Sequence, residues 1–371
     1  MKFNQTIRRI NNMKKTIAVL PGDGIGPEII NQAVKVINAI AEVFGHDIEY
    51  KYASIGACAI DECGESYPLS THKVCEESDA ILFGAIGDPK YDNNPTAVIR
   101  PEQGLLKMRK ELGLFANIRP IHIYPSLISS SPLKESIVKD ADFIVIRELT
   151  GGMYFGEPRG RSENGDKAFD SCVYSREEIT RITKKGFEYA RRRRKKLTMV
   201  DKANVLATSR LWREVVTEIH KKQYSDIELE FMYVDNAAMK IVSNPSCFDI
   251  ILTENMFGDI LSDIAGVING SIGLIPSASL GEMHSLFEPI HGSFPQAEGK
   301  NIANPIATIL SAAMMFEDAF QANKEGKMIR QGCEQAINDG ICTEDIVAGS
   351  KYGTTNVGDY IANYIKQTNN K

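Results

Sequence analysis

Four short apolar runs in the middle of the chain each end in charged or amide residues. Short runs of β-branched and aromatic residues are typical of buried strands in an α/β sheet. Ligands of such sheets bind in the crevice beyond the carboxyl ends of the strands. The pattern therefore predicts that a cation, a lysine, an aspartate and an amide converge on one cleft, although any single run could simply carry an ordinary polar strand end. The runs and the residues that follow them are 143–146 with Arg147-Glu148, 197–200 with Asp201-Lys202, 231–234 with Asp235-Asn236, and 250–253 with Glu254-Asn255.

Two carboxylates are spaced for a metal ion. Asp259 and Asp263 lie four residues apart, which places both on one face of the helix predicted to follow Asn255. Like charges at this spacing cost about a few tenths of a kcal/mol unless something neutralises them. A hard divalent cation such as Mg²⁺ or Mn²⁺ would do so through carboxylate oxygens. A solvated helix face is the alternative, but Asp235 at a neighbouring strand end offers a third carboxylate and favours the metal site.

Three arginines are candidate anion clamps. Arg109, Arg119 and Arg147 lie beside glycine-rich turns or predicted strand ends. A guanidinium group binds a carboxylate through two parallel hydrogen bonds and stays charged at any working pH. A lone arginine is more often part of a weak surface ion pair. The shared context of the three favours a di- or tricarboxylate ligand.

Acid and base candidates accompany these arginines. Tyr154 follows Gly151-Gly152 just past a predicted strand end, where a phenol could give a proton to an enolate, although a packed tyrosine is equally common. Lys202 at the next strand end could act as a base if burial or a nearby cation lowers its pKa, and Asp235 could orient it. These residue types predict proton transfer during the reaction.

Two glycine-containing loops bear on cofactor binding. The loop from Gly22 to Gly26 has the pattern G-x-G-x-G followed by proline, which differs from the G-x-G-x-x-G of dinucleotide-binding Rossmann domains. A standard Rossmann domain is therefore not expected. Residues 287–293 and 299–305 are rich in Gly, Pro, His and Asn, and such a loop before a buried helix could wrap adenosine, with His291 near the adenine.

Composition limits the possible partners. The chain has 371 residues, of which 43% are hydrophobic, enough to fill the cores of two α/β domains. Its net charge of -5 argues against nucleic acid and anionic membranes, so a small molecule is the expected partner. The seven cysteines form no C-x-x-C pair, which predicts free thiols in a reducing compartment. The polar residues 1–12 lack the apolar stretch of a signal peptide, and no apolar segment is long enough to span a bilayer, so we expect a cytoplasmic protein.

Local signals locate several elements. A strand is predicted over Thr16–Leu20, and the glycine loop after it leads into a helix opened by Pro27. Ser175 and Glu178 form a capping box for a helix that ends in the basic run 191–196, which we interpret as a solvated face that complements the helix dipole; contact with an acidic partner is the alternative. Asn304 and Pro305 start an almost wholly apolar helix over 306–315, which should be buried.

Six stretches of the chain carry a specific set of motifs. They are Leu20–Glu28, Arg100–Arg109, Arg147–Gly156, Val200–Val205, Asn255–Asp263 and Glu288–Gly292. Together they resemble the β-decarboxylating dehydrogenases, the family of isocitrate and isopropylmalate dehydrogenases, from about Thr16 to near the C-terminus.

The resemblance implies an α/β fold unlike the standard Rossmann fold, with two α/β domains and a cleft between them. Residues 1–114 and 271–371, from both chain ends, would form the cofactor-binding domain. Residues 115–270 would form the central domain for substrate, metal and dimerisation. The resemblance also implies a homodimer with shared active sites, because the equivalents of Lys202 and Asp235 in the family enter the partner subunit's site.

The resemblance assigns roles to individual residues. Arg109, Arg119 and Arg147 would clamp the carboxylates of a malate group, while Asp259 and Asp263 would hold Mg²⁺ or Mn²⁺ together with the partner subunit's Asp235. Lys202, with Asp235, would help to remove the hydroxyl proton, and Tyr154 would protonate the product. The pocket for the substrate side chain would be lined by Glu102, Leu105, Leu106 and Val205. The positions that would bind NAD are Ile25, Ser271, Gly273, Glu288, His291, Gly292, Gln296 and Asn304.

The implied activity is NAD-dependent oxidative decarboxylation of a 2-hydroxy dicarboxylate, in which a metal ion polarises the hydroxyl group and hydride passes to nicotinamide. Two leucines in the pocket helix suit an aliphatic branch better than a third carboxylate, which favours 3-isopropylmalate and a role in leucine biosynthesis. Isocitrate, tartrate and homoisocitrate are the alternative substrates, and a non-catalytic regulatory subunit is a more remote alternative.

One position departs from the family. NAD-specific relatives usually carry an aspartate where Gln296 lies. Glutamine can bond the ribose hydroxyls but cannot repel a 2′-phosphate by charge. No lysine or tyrosine replaces the aspartate to attract that phosphate, so the expectation remains NAD rather than NADP.

Overall fold

The computed structural model of the chain describes residues 12–94 and 98–368. Strands in these ranges are β1 (Lys14–Gly22), β2 (Asp47–Tyr52), β3 (Ala80–Ala85), β4 (Ala116–His122), β5 (Asp142–Glu148), β6 (Gly160–Arg161), β7 (Ala168–Phe169), β8 (Lys196–Asp201), β9 (Glu228–Tyr233), β10 (Ile250–Thr253), β11 (Pro276–Leu280) and β12 (Ser285–Pro289). The α-helices are α1 (Gly26–Phe44), α2 (Ala57–Cys63), α3 (Leu69–Glu76), α4 (Pro89–Asp92), α5 (Pro101–Glu111), α6 (Glu135–Val138), α7 (Arg176–Arg192), α8 (Ala207–Gln223), α9 (Val234–Ser243), α10 (Asn255–Ile268), α11 (Ile306–Met314), α12 (Asn323–Asn338) and α13 (Thr354–Thr368).

All four apolar runs form strands, as predicted, and they are neighbours. They are β5, β10, β8 and β9, joined in this order by parallel pairing. Their carboxyl ends therefore lie along one edge of the sheet, which places the polar residues that follow them side by side. The helix after Asn255 is also confirmed as α10.

A mixed sheet of ten strands runs through the structure in the order β2-β1-β3-β12-β11-β4-β5-β10-β8-β9. Strands from both chain ends fill one half, and strands from the middle of the chain fill the other. The halves meet where β11 pairs antiparallel with β4. The chain-end and central groups match the segments expected for two domains, but the sheet continues across the boundary, so the division into domains stays a prediction.

Alternating side chains bury the two sheet faces differently. On one face, Ile17, Ile118 and Ile144 belong to a single core that extends under both halves of the sheet. On the other face the apolar residues form two separate clusters, one around Phe83 and one around Phe143. The central strands carry polar residues between these clusters, and this break in the apolar face is where a cleft can form.

The glycine loop between β1 and α1 is held by a buried carboxylate. Asp23 accepts hydrogen bonds from the backbone N–H groups of Ala57, Cys58 and Gly87, each at 2.9 Å. A Cβ atom at Gly26 would lie only 2.0 Å from the carbonyl oxygen of Pro21, so only glycine allows the helix to start this close to the strand. This loop is part of the scaffold and brings Ile25 toward residues 291–293, where its N–H bonds the Ser293 carbonyl at 2.8 Å.

The expectation that the basic run 191–196 forms a solvated face is only partly right. Arg193 donates to the buried carboxylate of Asp249 at 2.8 Å and Arg191 pairs with Asp226 at 2.6 Å. Arg194 donates to the carbonyl oxygen of Phe248. These side chains are partly exposed and do not form a free basic patch: Arg193 and Arg194 link the end of α7 to the segment before β10, and Arg191 links it to the loop before β9.

Several smaller expectations hold. The cysteines of the described residues are all free, as predicted. Asn304 accepts a hydrogen bond from the N–H of Ile306 at 3.0 Å at the start of the buried helix α11. None of the helices in residues 12–94 and 98–368 is long and apolar enough to cross a bilayer.

The predicted capping box of α7 is present and offers a test of local stability. The N–H of Glu178 donates to the Ser175 hydroxyl at 3.2 Å, and the N–H of Ser175 donates to the Glu178 carboxylate at 2.7 Å. We expect Ser175→Ala to lower the free energy of unfolding by about 1 kcal/mol, because a helix N–H loses its acceptor. Chemical denaturation measures this change. Ser129→Ala is the control, since Ser129 is exposed and makes no side-chain hydrogen bond within the described residues, and an equal loss there would contradict the assignment.

Candidate active site

The floor of the cleft is a polar strip in the middle of one sheet face. Arg119 in β4 and Arg147 in β5 are buried, with 8% and 4% of their surfaces exposed. The alternation of β5 places Arg147 on the same face as Phe143 and Val145, which belong to one of the two separate apolar clusters. Arg109 reaches the strip from the last turn of α5. The three predicted clamps are therefore brought to one place.

Arg119 and Arg109 are anchored by different partners. Arg119 donates to Asn117 at 2.8 Å and to the Ser262 hydroxyl at 2.6 Å. Arg109 donates through Nη2 to Glu288 at 2.8 Å. Its Nε atom is buried without a partner in the described part of the chain. A buried hydrogen-bond donor without an acceptor costs free energy, so the carboxylate of a bound ligand would supply the acceptor that Arg109 Nε lacks.

Arg147, Asp259 and Tyr154 form a compact group. Arg147 Nη1 donates to one carboxylate oxygen of Asp259. The Tyr154 hydroxyl donates to the other oxygen at 2.8 Å, and its ring centre lies 5.5 Å from the guanidinium carbon of Arg147. The helix α10 packs closely here, because a Cβ atom at Gly258 would lie 2.7 Å from the Arg147 side chain. The predicted proton donor thus lies beside the predicted clamp and metal ligand.

Burial and mutual repulsion act on the guanidinium groups. Burial, followed by the positive charge of Arg119, lowers the pKa of Arg147 to about 10. Burial also lowers the pKa of Arg119, which Asp259 and Asp263 partly oppose. Arg147 stays charged at neutral pH at this value, and cations this poorly hydrated attract an anion more strongly than surface arginines do.

Asp259 and Asp263 present carboxylate oxygens on the same face of α10, as predicted. Arg119 donates to Asp263 at 3.2 Å and lies 3.7 Å from Asp259. The side chain of Asp263 is 70% exposed, so it can still accept a cation. Hard oxygen donors suit Mg²⁺ or Mn²⁺. Within the described residues of one chain, however, no group of three His, Cys, Asp or Glu side chains could hold a metal, so a complete site needs a further ligand.

Lys202 and Asp235 lie together but apart from this group. The Lys202 ammonium donates to the Asp235 carboxylate, whose pKa is lowered chiefly by that hydrogen bond. Among residues 12–94 and 98–368, no hydrogen bond or ion pair joins either residue to Arg147, Asp259 or Asp263. The contacts therefore join the residues at the ends of β5 and β10 in one group and those of β8 and β9 in another, and the convergence of all four strand ends on one cleft stays a prediction. The parallel strands align along one edge, but β8 and β9 lie farther from the cleft than β5 and β10.

A cavity of about 140 Å³ lies over the polar strip, and Arg109, Arg119 and Glu288 line it. Leu105 contributes an apolar wall. Glu102 is one turn earlier on the same side of α5, and its carboxylate lies 3.0 Å from the position of a Cβ atom at Gly87.

Three of the four predicted pocket residues, Glu102, Leu106 and Val205, do not line this cavity. Leu106 is 37% exposed and Val205 is 63% exposed, and neither belongs to the cavity wall. Val205 lies in the turn after Lys202, to whose carbonyl its N–H donates at 2.9 Å, so it accompanies Lys202 and Asp235.

A second cavity of about 440 Å³ adjoins the first, since His291 and Gly292 line both. Six of the eight predicted cofactor positions line it: Ile25, Ser271, Gly273, His291, Gly292 and Asn304. Its volume is in the range of small-molecule sites. The Nδ1 atom of His291 lies 3.0 Å from the Gly292 carbonyl oxygen, while the Nε2 atom is buried without a partner in the described ranges. A donor on a bound cofactor would satisfy it, so the residues present fit a dinucleotide.

The other two cofactor positions lie elsewhere. Glu288 instead pairs with Arg109 in the smaller cavity. Gln296 is exposed on the short 3₁₀ turn Pro295–Ala297 and is not part of the wall. Asp88 accepts from the N–H of Lys90 at 2.9 Å and caps α4.

Sequence reasoning missed Asp345, which lines the larger cavity. Its carboxylate accepts from the Ser271 hydroxyl at 2.5 Å and from the Asn304 amide at 3.0 Å. It also accepts from Thr343 at 2.5 Å. No local pattern marks this residue, because both cavity partners lie far away in sequence. Ser262, which bonds Arg119, could have been found from its position between Asp259 and Asp263 on α10.

Fold and site together define a β-decarboxylating dehydrogenase architecture. The chain belongs to the isocitrate/isopropylmalate dehydrogenase family, whose sequence pattern matches residues 16–361. This confirms the predicted family and fold class.

Individual relatives of the chain are consistent with this family assignment. The chain is 55% identical to the 3-isopropylmalate dehydrogenase of Bacteroides fragilis (strain YCH46) over 353 residues, which cover 95% of this chain and 99% of that protein. It is also 55% identical to the 3-isopropylmalate dehydrogenase of Aquifex aeolicus (strain VF5), covering 94% of this chain and 97% of the relative. The crystal structure of isocitrate dehydrogenase from Methylococcus capsulatus superposes with a TM-score of 0.85 at 33% identity, covering 95% of this chain and all of that one.

The state of His291 gives a pH prediction for the larger cavity. Burial lowers the pKa of His291 below its ordinary value of about 6.5. We expect the imidazole to be neutral at pH 7 and to gain its proton only at more acidic pH. Because the unfolded chain takes up this proton first, the contribution of His291 to stability falls as the pH drops from about 6.5 toward the folded-state pKa.

NMR titration of the histidine ring protons measures this pKa, and His291→Gln identifies the resonance by its disappearance. A midpoint at or above the ordinary value would contradict the prediction.

Proposed function

We propose that the protein is an NAD-dependent 3-isopropylmalate dehydrogenase that acts in leucine biosynthesis. With Mg²⁺ or Mn²⁺ bound, it would convert 3-isopropylmalate and NAD⁺ into 4-methyl-2-oxopentanoate, CO₂ and NADH. The observation that carries the proposal is the small cavity in which Arg109 and Arg119 face Leu105, with Arg147 alongside. Clustered guanidinium groups suit the two carboxylates of a malate group, and the leucine suits an aliphatic branch.

The residues of this chain have separable tasks. The arginines bind and orient the two carboxylates, which fixes the substrate beside Asp259 and Tyr154. Asp259 and Asp263 would hold the divalent ion, which when bound polarises the hydroxyl and carbonyl oxygens of the substrate. Lys202, in its neutral form and with Asp235 as its hydrogen-bond partner, would take the proton of the hydroxyl group. The Tyr154 hydroxyl gives a proton to the carbon that loses CO₂.

The residues that line the larger cavity would hold NAD⁺, which when bound would supply the hydride acceptor. His291 offers an unpaired buried acceptor there, and Gly292 lies in the wall common to both cavities. The preference for NAD over NADP, despite Gln296, rests on the absence of a lysine or tyrosine at that position to attract a 2′-phosphate.

A homodimer with shared active sites accounts for the position of Lys202 and Asp235. Within the described residues of one chain, Lys202 and Asp235 bond each other and not Asp259, so we infer that a second copy supplies them together with Val205. The adjacent helices α9 and α10 expose Met239 and Val267, at 61% and 56%, on a surface suited to such an interface. The free cysteines fit a reducing compartment, which supports a cytoplasmic location.

A substrate panel tests the proposed activity. With Mn²⁺ and NAD⁺, we expect NADH and CO₂ from 3-isopropylmalate, with kcat/KM at least about tenfold above that for isocitrate, tartrate or homoisocitrate, because one mismatched group in a pocket is worth about 1–3 kcal/mol. NADH absorbance and CO₂ release are measured with and without EDTA. Preference for another acid would overturn the substrate assignment, and an inactive wild type would favour a regulatory subunit.

Mixing two inactive variants tests the shared site. In a random mixture of Lys202→Met and Tyr154→Phe chains, half of the dimers are mixed, and each mixed dimer has one intact site if Lys202 comes from the second copy. We therefore expect about a quarter of wild-type activity after the chains are co-expressed, from this site arithmetic.

The control mixture combines Tyr154→Phe with Asp259→Asn. Both residues lie in the same chain's site, so no mixed dimer regains an intact site and activity stays near that of the single variants. Recovery in the control, no recovery in the test mixture, or a monomer in sedimentation would each contradict shared sites.

A further inference from the structure

Asn255 connects the clamp to the loop of the proton donor. Its Oδ1 atom accepts from Arg147 twice, from Nε at 3.0 Å and from Nη2 at 2.8 Å. Its Nδ2 atom donates to the carbonyl oxygen of Gly151 at 3.1 Å. Gly151 begins the turn that ends at Tyr154. One side chain therefore fixes both the guanidinium of Arg147 and the backbone that carries the phenol.

The backbone of Asn255 is itself fixed by hydrogen bonds that involve Tyr174 and Glu254. It is 1% exposed at the first position of α10, where its own N–H has no partner inside the helix. The Tyr174 hydroxyl accepts from this N–H at 2.9 Å and donates to Glu254 at 3.1 Å. Burial raises the pKa of Tyr174, so the hydroxyl keeps the proton that it donates.

The glycine turn rests on the same tyrosine. A Cβ atom at Gly151 would lie 2.6 Å from the Tyr174 ring, and one at Gly152 would lie 2.3 Å from its hydroxyl oxygen. Gly151 also donates its N–H to the buried carboxylate of Glu148 at 2.8 Å. The turn is therefore fixed on several sides, and its remaining carbonyl is bound by Asn255.

Only an amide of this length satisfies both neighbours. Arg147 needs an acceptor and the Gly151 carbonyl needs a donor. An aspartate would still accept from Arg147 but would place a second acceptor against the carbonyl. An alanine would leave both groups unpaired in a buried place, which is costly.

We propose that Asn255 is a positioning residue that couples the orientation of Arg147 to that of the Tyr154 loop. The kinetic part of this inference rests on the proposed function. Asn255 does not need to touch the substrate, because it acts through the two groups that it holds.

The test compares Asn255→Ala with Asn269→Ala. Asn269 is buried just past the other end of α10 and lines neither cavity, so it controls for helix stability. We expect Asn255→Ala to raise the KM for 3-isopropylmalate about tenfold and to lower kcat about tenfold, each change being about the size expected for one lost charge-assisted hydrogen bond, while the KM for NAD⁺ stays within about twofold. Asn269→Ala should change only the melting temperature.

Two further comparisons distinguish positioning from a general loss of stability: a double variant with Tyr154→Phe, and a second substitution at Asn255. In a Tyr154→Phe background, Asn255→Ala should lower kcat by less than about threefold, because the phenol that it positions is already lost. Asn255→Asp keeps the acceptor for Arg147, so it should raise the substrate KM less than Asn255→Ala while still lowering kcat; it also serves if the alanine variant does not fold. Full additivity, or equal effects of Asn255→Ala and Asn269→Ala, would overturn the inference.

A readout without turnover separates this inference from the proposed function. Hydrogen exchange of a peptide covering residues 149–156 should be faster in Asn255→Ala than in wild type and unchanged in Asn269→Ala. An inactive wild-type protein would refute only the proposed dehydrogenase activity. The hydrogen-exchange result would still decide whether Asn255 positions the Tyr154 loop. Unchanged exchange in both variants, or unchanged kinetics of Asn255→Ala in an active enzyme, would refute the positioning role.

Discussion

The buried guanidinium groups of Arg119 and Arg147 are the constraint on which the rest of the site depends. Removing a cation from water is expensive unless hydrogen bonds and opposite charges replace the water. The chain meets this need with Asn117 and Ser262 around Arg119 and with Asn255 and Asp259 around Arg147. The same partners therefore stabilise the fold and set the geometry of a site for anions.

This arrangement leaves some hydrogen-bonding capacity unused. Arg109 has an unpaired buried donor, His291 has an unpaired buried ring nitrogen, and Asp263 is largely open to solvent. Each of these groups lies at the place where the proposed mechanism needs a carboxylate, a cofactor or a metal ion. Buried groups without partners are uncommon in folded proteins, and two of those found among the described residues, on Arg109 and His291, line these two adjoining cavities.

The sequence predicts the features that depend on short-range patterns. The capping box of Ser175 and Glu178, the strands before Arg147 and Asn255, and the two carboxylates on α10 follow from residue spacing alone. Contacts between distant segments do not follow in this way. Arg109 and Glu288 are separated by 179 residues, and Arg119 and Ser262 by 143, so no local rule pairs them.

Two further features lie beyond a single sequence for the same reason. Asp345 reaches the larger cavity through bonds to Ser271 and Asn304, which requires the packed structure. The separation of Lys202 from Asp259 depends on the order of strands in the sheet. Strand ends that look equivalent in sequence take different positions, and only the family resemblance suggested that the two residues serve another subunit.

The unequal cores of the two sheet faces limit how the cleft can change its width. Beneath the cleft the apolar layer is unbroken and includes residues of both β11 and β4, such as Ala278 and Ile118. The two halves are hydrogen-bonded to each other here through β11 and β4, so the sheet itself joins them. We expect any narrowing of the cleft around a ligand to change the twist and bending of the central strands, spread over many hydrogen bonds. The two walls of the cleft would then move as rigid bodies connected by the sheet.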